Sequence, residues 1–283
     1  MARVPAGRYK IGSTGSESRV ADGEGPVRTI AVDAFDIDVT AVTNAQFAQF
    51  IASTGYVTDA ERHGWSYVFH TLASPRQAKR RLPGQLPETP WWLPIKGARW
   101  CHPEGLGSHL TRRADHPVVH VSWNDAGQYA AWSGKRLPTE SEWEVAARGG
   151  REDGIYPWGD ELTPHGQHCC NIWQGDFPGT DTAEDGFSGT APVGAFEPNG
   201  YGLFNMVGNT WEWCADWWSR DWHQADSDET RVNPRGPESG ESRVIRGGSF
   251  LCHRSYCNRY RVSARSANTS DSTTSHTGFR CAI

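Results

Sequence analysis

The residues of this chain best suited to chemistry lie in the stretch SFLCHRSYCNRYR, where four residues separate Cys252 from Cys257 and His253, Arg254, Arg259 and Arg261 flank them. Nearby positive charge lowers a thiol pKa and favours the thiolate, the form that binds metal or attacks. Three chemistries are open to such a pair: a local disulfide, a reactive redox pair, and a two-thiolate site for a soft ion such as Cu(I). Zinc would want four ligands, and no second cysteine pair at zinc-finger spacing accompanies this one. Spacing alone does not separate the disulfide from the metal. His253 could join as a ligand, although a hydrogen-bonded structural histidine is the plainer reading.

A second concentration of functional atoms is made of oxygen. Asn171, Asp176, Asp181, Glu184, Asp185, Asn205, Asn209 and Glu212 lie among glycines that let carbonyls converge, which suits a hard cation such as calcium. The spacing is not that of an EF-hand loop, and Asn and Asp beside Gly are also ordinary turn residues, the reading that composition alone favours. His116 and His120 in HPVVH have the look of a facial iron site without its carboxylate, since Ser122 stands where an acid is needed; they read as structural. No GxSxG elbow, Walker loop or dinucleotide fingerprint is present, so hydrolase, NTPase and Rossmann readings find no support.

Few regular elements are available to position these groups. Three segments read as helices: TNAQFAQFIASTG, with Thr43 and Gln46 at capping-box spacing; SWNDAGQYAAWSG, with Ser122 and Asp125 and a stop at Gly134; and TESEWEVAARGG, with Thr139 and Glu142 and a stop at Gly149. VRTIAV, HPVVHVSW, SRVIRGGSF and GFRCAI read as short strands, separated by long loops rich in Gly, Pro, Asn, Asp and Trp. Loops of that length in a compact domain are usually functional or held by ligands, and buried Trp or bound cations could tie them. The 14 Trp suit that task, since each indole buries a large area while its N–H seeks a partner.

Composition narrows the partners. At 283 residues the chain can bury roughly three quarters of its unfolded surface. Its 28 Lys+Arg against 33 Asp+Glu give a net charge of -5, so nothing draws it to nucleic acid or to anionic lipid. No apolar run approaches the roughly 18 to 20 residues of a membrane span, and MARVPAGRYK lacks the apolar core of a secretory signal, so a soluble, unexported protein is expected. Seven cysteines, scattered and odd in number, imply no disulfide framework. Without a linker or repeat, residues 1–283 read as one irregular domain.

Taken together, HPVVHVSWNDA, GKRLPTESEWEVAARGG, YPWGDE, NIWQGDFP, EDGFSGTAPVGAFEPNGYGLFNMVGNTWEWCADWW and RVIRGGSF resemble the formylglycine-generating enzyme, or sulfatase-modifying factor, family over nearly the whole chain. CHRSYC and PWWLP are similar to the stretches that mark the true formylglycine-generating members. The resemblance implies an α/β (α+β) fold with little regular secondary structure, a single domain related to the C-type lectin fold. It implies oxidation of the cysteine of a CxPxR motif in a sulfatase polypeptide to Cα-formylglycine, with molecular oxygen and a thiol reductant. It also implies Cu(I) held by Cys252 and Cys257, leaving room for the substrate thiolate as a third soft ligand.

By the same resemblance, one calcium ion falls on the side chains of Asn171 and Asp185 with the carbonyls of Ile172 and Phe187. A second falls on Asn205 and Glu212 with the carbonyls of Gly208 and Thr210. Ser249 and Trp211 match residues lining the oxygen and substrate pocket; Tyr256, Arg265 and Asn268 match a peptide groove, as does His276, where relatives often carry Asn. Many eukaryotic members have disulfides at positions that here are Ala130, Ala147 and Val262, which leaves Cys281 as a free buried thiol and suits a reducing bacterial cytoplasm. Two other classes stay open: a non-haem iron sulfoxide synthase relative, which would need a His-rich iron domain, and a C-type-lectin-like binding module, which would not need the cysteine pair.

Overall fold

The computed structural model describes residues 1–84 and 86–283. In chain order its elements are β1 (Ala2–Val4), β2 (Gly7–Ile11), β3 (Arg28–Val32), β4 (Phe35–Ile37), α1 (Asn44–Thr54), α2 (Asp59–His63), β5 (Trp65–Phe69), α3 (Pro75–Ala78), β6 (Trp92–Lys96), α4 (Trp123–Trp132), α5 (Glu140–Arg148), β7 (Gly175–Asp176), β8 (Thr180–Asp181), β9 (Trp211–Trp217), α6 (Asp228–Arg231), β10 (Arg243–Arg246), β11 (Arg265–Asn268) and β12 (Thr277–Gly278). No described helix is long and apolar enough to cross a membrane.

Each expected helix starts where its capping box sits. Thr43, Ser122 and Thr139 accept from the N3 backbone N–H, while Gln46, Asp125 and Glu142 return the bond to the cap N–H. Gly55 and Gly149 close α1 and α5 in the left-handed conformation, whereas α4 ends at Trp132 and is capped by Ser133, one residue before Gly134. The same box, Thr58 with Glu61 and Ser74 with Gln77, starts the short α2 and α3, whose few residues carry too little periodicity to be read in sequence.

VRTIAV and SRVIRGGSF supply β3 and β10 as expected. HPVVHVSW does not form a strand: only Pro117 makes a bridge, to Thr43, and His120 sits at a φ of 60°. Proline has no N–H for a ladder, and a left-handed residue breaks the pleat. GFRCAI contributes only Gly278 to β12 and Ala282 to isolated bridges with Ile37 and Arg136.

One sheet, in the order β11-β10-β9-β12, organises the C-terminal half. Its register sets Glu212, Arg246 and Arg265 in one cross-strand row and Trp213, Ile245 and Ser266 in the next. Side chains alternate between faces along a strand, so the first row points one way and the second the other. The charged row meets α5: Arg246 donates to Glu144 Oε2 at 2.6 Å and Arg265 to Glu140 Oε1 at 2.5 Å. The main apolar core gathers Phe47, Phe50, Tyr129 and Phe279 between α1, α4 and the C-terminal segment.

Tryptophan ties the irregular backbone together. Indole N–H groups of Trp123, Trp213 and Trp158 donate to the carbonyls of Cys214, Val121 and Glu161, and that of Trp143 donates to Glu212 Oε2.

Candidate active site: a thiol pair on the floor of an aromatic cavity

At the end of β10 the chain turns through Gly247 and Gly248, at φ 92° and 72°. A Cβ on Gly247 would stand 2.8 Å from Met206 O, and one on Gly248 2.8 Å from Arg259 O, so only glycine fits both the dihedral and the space. Past this turn Cys252 N–H donates to Ser249 O at 2.9 Å, and Ser249 N–H approaches Cys252 Sγ at 3.4 Å. The N–H groups of Tyr256, Cys257 and Asn258 then all converge on His253 O, at 3.0, 3.0 and 3.1 Å. This single tight turn brings the two cysteines together, both buried and both free thiols.

The two sulfurs are inequivalent. Burial drives the Cys252 thiol well up. Burial also opposes ionisation of Cys257, but the hydrogen bond from the Cys252 thiol, the Arg259 backbone and the Arg259 guanidinium outweigh it, and its pKa falls. Of the flanking arginines only Arg259 reaches the pair, while itself tied to Asp22 at 2.7 Å; Arg261 is spent on buried Glu24 at 2.5 and 2.6 Å, and Arg254 is exposed. His253 turns its Nδ1 to Ser255 Oγ at 2.7 Å. The site therefore offers two soft donors, one thiolate-prone, a donor set that fits Cu(I) and is too small for zinc.

Above the thiols opens a cavity of about 520 Å³, lined by both cysteines and by Ser249, Trp211, Tyr256, Asn268 and His276. Its walls are aromatic: Trp65, Tyr67 and Phe69 from β5, with Trp91, Trp92 and Phe177. Tyr256 stacks on Phe177 at 4.6 Å and meets the edge of Trp91 at 5.1 Å. The His276 ring lies 4.6 Å from Trp92 and its Nδ1 contacts Thr274 Oγ1 at 2.7 Å; burial pushes its pKa down to about 3, so it stays neutral. The β5 wall is absent from the sequence reading, although WSYVF alternates with the period of a strand having one lined face.

Arg265 does not reach this cavity. Its guanidinium grips Glu140 at 2.5 and 2.7 Å and lies 4.5 Å over the Trp218 ring, because strand alternation puts it on the face opposite Ser266. The peptide-groove assignment is corrected here for that residue. His116 and His120 likewise serve different partners, Thr190 Oγ1 at 2.9 Å and Ser66 Oγ at 2.7 Å, and burial pushes His120 to about 4.

The oxygen-rich segment forms two knots. Asp185 Oδ2 accepts from Ile172 N–H at 3.0 Å and from the Gln174 side-chain amide at 2.9 Å, and that same amide also contacts Ile172 O. An N–H donor thus occupies the point on which these two oxygens converge, the place a cation would take; Asp185 Oδ1 accepts from Phe187 N–H at 3.0 Å. Asn171 donates to Gly189 O and Asn209 Oδ1. In the second knot Asn205, at φ 49°, leaves its Oδ1 buried with no hydrogen-bond partner, as a cation ligand would be. Glu212 there already accepts from Arg280 on both oxygens and from Trp143 on Oε2. Among the described residues no three His, Cys, Asp or Glu side chains cluster, so both knots depend on amide and carbonyl oxygen.

Comparison with known proteins places this geometry. A family model described as "Sulfatase-modifying factor enzyme 1-like domain" matches residues 1–283. A formylglycine-generating enzyme of Thermomonospora curvata is 61% identical over 282 residues, covering 100% of this chain and 92% of the relative. One of Bos taurus is 55% identical, covering 100% and 74%. A solved structure of PvdO from Pseudomonas aeruginosa aligns over 99% of this chain and 92% of its own with a TM-score of 0.70 at 25% identity.

Proposed function

The chain belongs to the sulfatase-modifying factor enzyme family, and from that membership we propose that it oxidises the cysteine of a CxPxR motif in a sulfatase polypeptide to Cα-formylglycine. The observation that carries this reading is the buried, hydrogen-bonded pair Cys252 and Cys257 lining an aromatic cavity of about 520 Å³. A lectin-like binding module has no use for such a pair.

Cu(I) on the two thiolates would supply activation of molecular oxygen beside the substrate Cβ hydrogens. The remaining work falls to this chain's own groups. Cys252 and Cys257 would hold the metal; Cys257 has its pKa lowered by Cys252 and Arg259, whereas Cys252, pushed up by burial, is the thiol that would have to lose a proton for both to serve as ligands. Ser249 lines the cavity, and its Oγ is held by Leu251 N–H at 3.2 Å. Trp211 and Phe69 line the same cavity as the sulfurs and add apolar surface to it. The Tyr256–Phe177 stack offers a flat apolar platform to an extended peptide, with the Asn268 amide and neutral His276 as hydrogen-bond partners along it. A balanced reaction takes substrate cysteine, O2 and two reducing thiols to the aldehyde, sulfide, water and one disulfide.

Calcium at Asn171, Ile172, Asp185 and Phe187, and at Asn205, Gly208, Thr210 and Glu212, would clamp the loops that carry Phe177 and Trp211. Seven free thiols suit a reducing compartment such as a bacterial cytoplasm. The test is mass spectrometry of a CxPxR peptide incubated with the protein, Cu(I), oxygen and thiol. The expected product has lost its thiol and carries an aldehyde; an unchanged peptide would refute the assignment.

A further inference from the structure

The ribbon that walls the cavity carries unexplained charge at its outer end. Past α3, residues 80–82 run antiparallel to β6: Arg81 bridges Ile95, Lys96 N–H donates to Arg80 O at 3.2 Å, and Leu82 N–H donates to Pro94 O at 2.8 Å. This register sets Arg80 across from Lys96, and β6 in turn sets Lys96 across from Trp65. Directly opposed residues share a face. Arg80, Lys96 and Trp65 therefore form one row on the side where Trp65, Tyr67 and Trp92 line the cavity.

Like charges placed opposite one another destabilise strand pairing. A lone cation on an edge strand guards against aggregation, but Lys96 lies on a strand flanked on both sides, so that purpose does not account for it. Arg76, Lys79 and Arg81 add three more exposed cations to the same stretch. None of the five forms an ion pair among the described residues, whereas neighbouring Arg62 and Arg99 pair with Asp59 and Glu61. Asp271, which the Tyr67–Thr274 bridge puts on the far side of β5, pairs with none of them. In a chain of net charge -5, this is a segregated positive patch whose Arg80–Lys96 row ends on Trp65, a residue of the cavity wall.

We propose that Arg80 and Lys96, supported by Arg76 and Lys79, dock an acidic segment of the substrate polypeptide flanking the cysteine to be oxidised. The inference rests on the peptide-oxidising function proposed above and names the chemistry that would help select its substrate. A peptide leaving the cavity along the β5–β6 ribbon passes this row, and its carboxylates relieve the repulsion that the free protein tolerates. Each exposed charge pair adds a modest factor, so several together change KM by about threefold to tenfold at low ionic strength, with kcat unaltered.

The experiment uses the full chain and peptides with one CxPxR core, extended at either end by three Glu, three Gln or three Lys. Turnover and, separately, binding of labelled peptide by fluorescence anisotropy are measured. At one of the two ends the Glu extension should lower KM about threefold to tenfold below the Gln peptide, and Lys should raise it. The difference should collapse in about 0.5 M salt and in the double variant Arg80→Glu, Lys96→Glu. Lys96→Glu alone should hold or raise the melting temperature, since it turns repulsion across the ladder into attraction, so its lost preference cannot come from unfolding. Equal KM for all three charges, or an acidic preference that survives in the double variant, would overturn the proposal. Charge-selective binding without oxidation would keep the docking surface and remove the reaction; oxidation without charge selectivity would do the reverse.

Discussion

The two faces of the sheet β11-β10-β9-β12 are built from alternate residues of the same strands and obey opposite rules. On the face toward α5, Arg246 is wholly buried yet donates to Glu140, Glu144, Val262 O and Ser263 O. Burial works against Glu140 and Glu144, but Arg265 for the first, Arg148 for the second and Arg246 for both hold each carboxyl at about 2. On the other face, Ile245, Ser266 and Asn268 line an aromatic cavity with thiols on its floor. A chain with few helices fixes an open cavity by nailing the reverse side of its walls with geometrically demanding ion pairs, whose value lies in position more than in net stability.

This contrast can be broken from its charged side first. Arg246→Met should destabilise the protein by about 3–5 kcal/mol, because it removes one of the arginines that hold each of two buried carboxylates and leaves Glu140 to Arg265 and Glu144 to Arg148; the shift of the denaturant midpoint measures it. Arg265→Met sharpens the same point: a large loss of stability with peptide KM unchanged is expected, whereas a KM effect in a protein of normal stability would return Arg265 to the groove.

Next comes the proposed calcium clamp. Chelation should lower the melting temperature of protein purified with calcium by the equivalent of about 2.7 kcal/mol if the ion stands at a hundredfold its Kd. Asp185→Ala should start from the lower value and no longer respond to chelator. A wild-type melt indifferent to chelation would remove calcium from the account.

The charged face also carries one carboxyl that is not paired. Burial, and then the Glu140 charge, push Asp216 up to about 8. A group whose folded pKa is raised holds more protons in the folded state, so its contribution is complete below the unfolded value near 3.8 and is lost as pH rises toward 8, at about 1.4 kcal/mol per pH unit. Asp216→Asn should flatten that part of the decline in stability between pH 5 and pH 8, seen in melting curves across the range. An unchanged slope would show that Asp216 is ionised in the folded protein. The smallest effect is expected on the cavity face, where Tyr256→Leu loses one stack on Phe177 and should raise peptide KM about twofold to tenfold, with stability intact.

Much of this was legible in the sequence where the signal is local. Capping boxes placed α1, α4 and α5, and the pair Cys252 and Cys257 stood out because few other residues could do their chemistry. What was not legible depends on partners far along the chain. Nothing local in the sequence marks Glu140, Glu144 and Arg246 as partners; strand register and α5 bring them, with Arg265, together across more than a hundred residues. HPVVHVSW has the apolar content of a strand, but Pro117 and the left-handed His120 deny it a ladder. Arg265 follows the family pattern in sequence, and only the alternation of β11 shows that its guanidinium turns from the cavity. The Gln174 amide between Ile172 O and Asp185 Oδ2 needed coordinates to appear at all.

The proposed copper site requires Cys252 and Cys257 together, and so does the proposed turnover. Copper stoichiometry and CxPxR-peptide oxidation should be measured side by side for the wild type, Cys252→Ser, Cys257→Ser and Cys281→Ser. One Cu(I) per chain and aldehyde product are expected for the wild type and for Cys281→Ser, with both lost in either of the other two. A Cys252→Ser protein that binds one copper and turns over the peptide normally would contradict it.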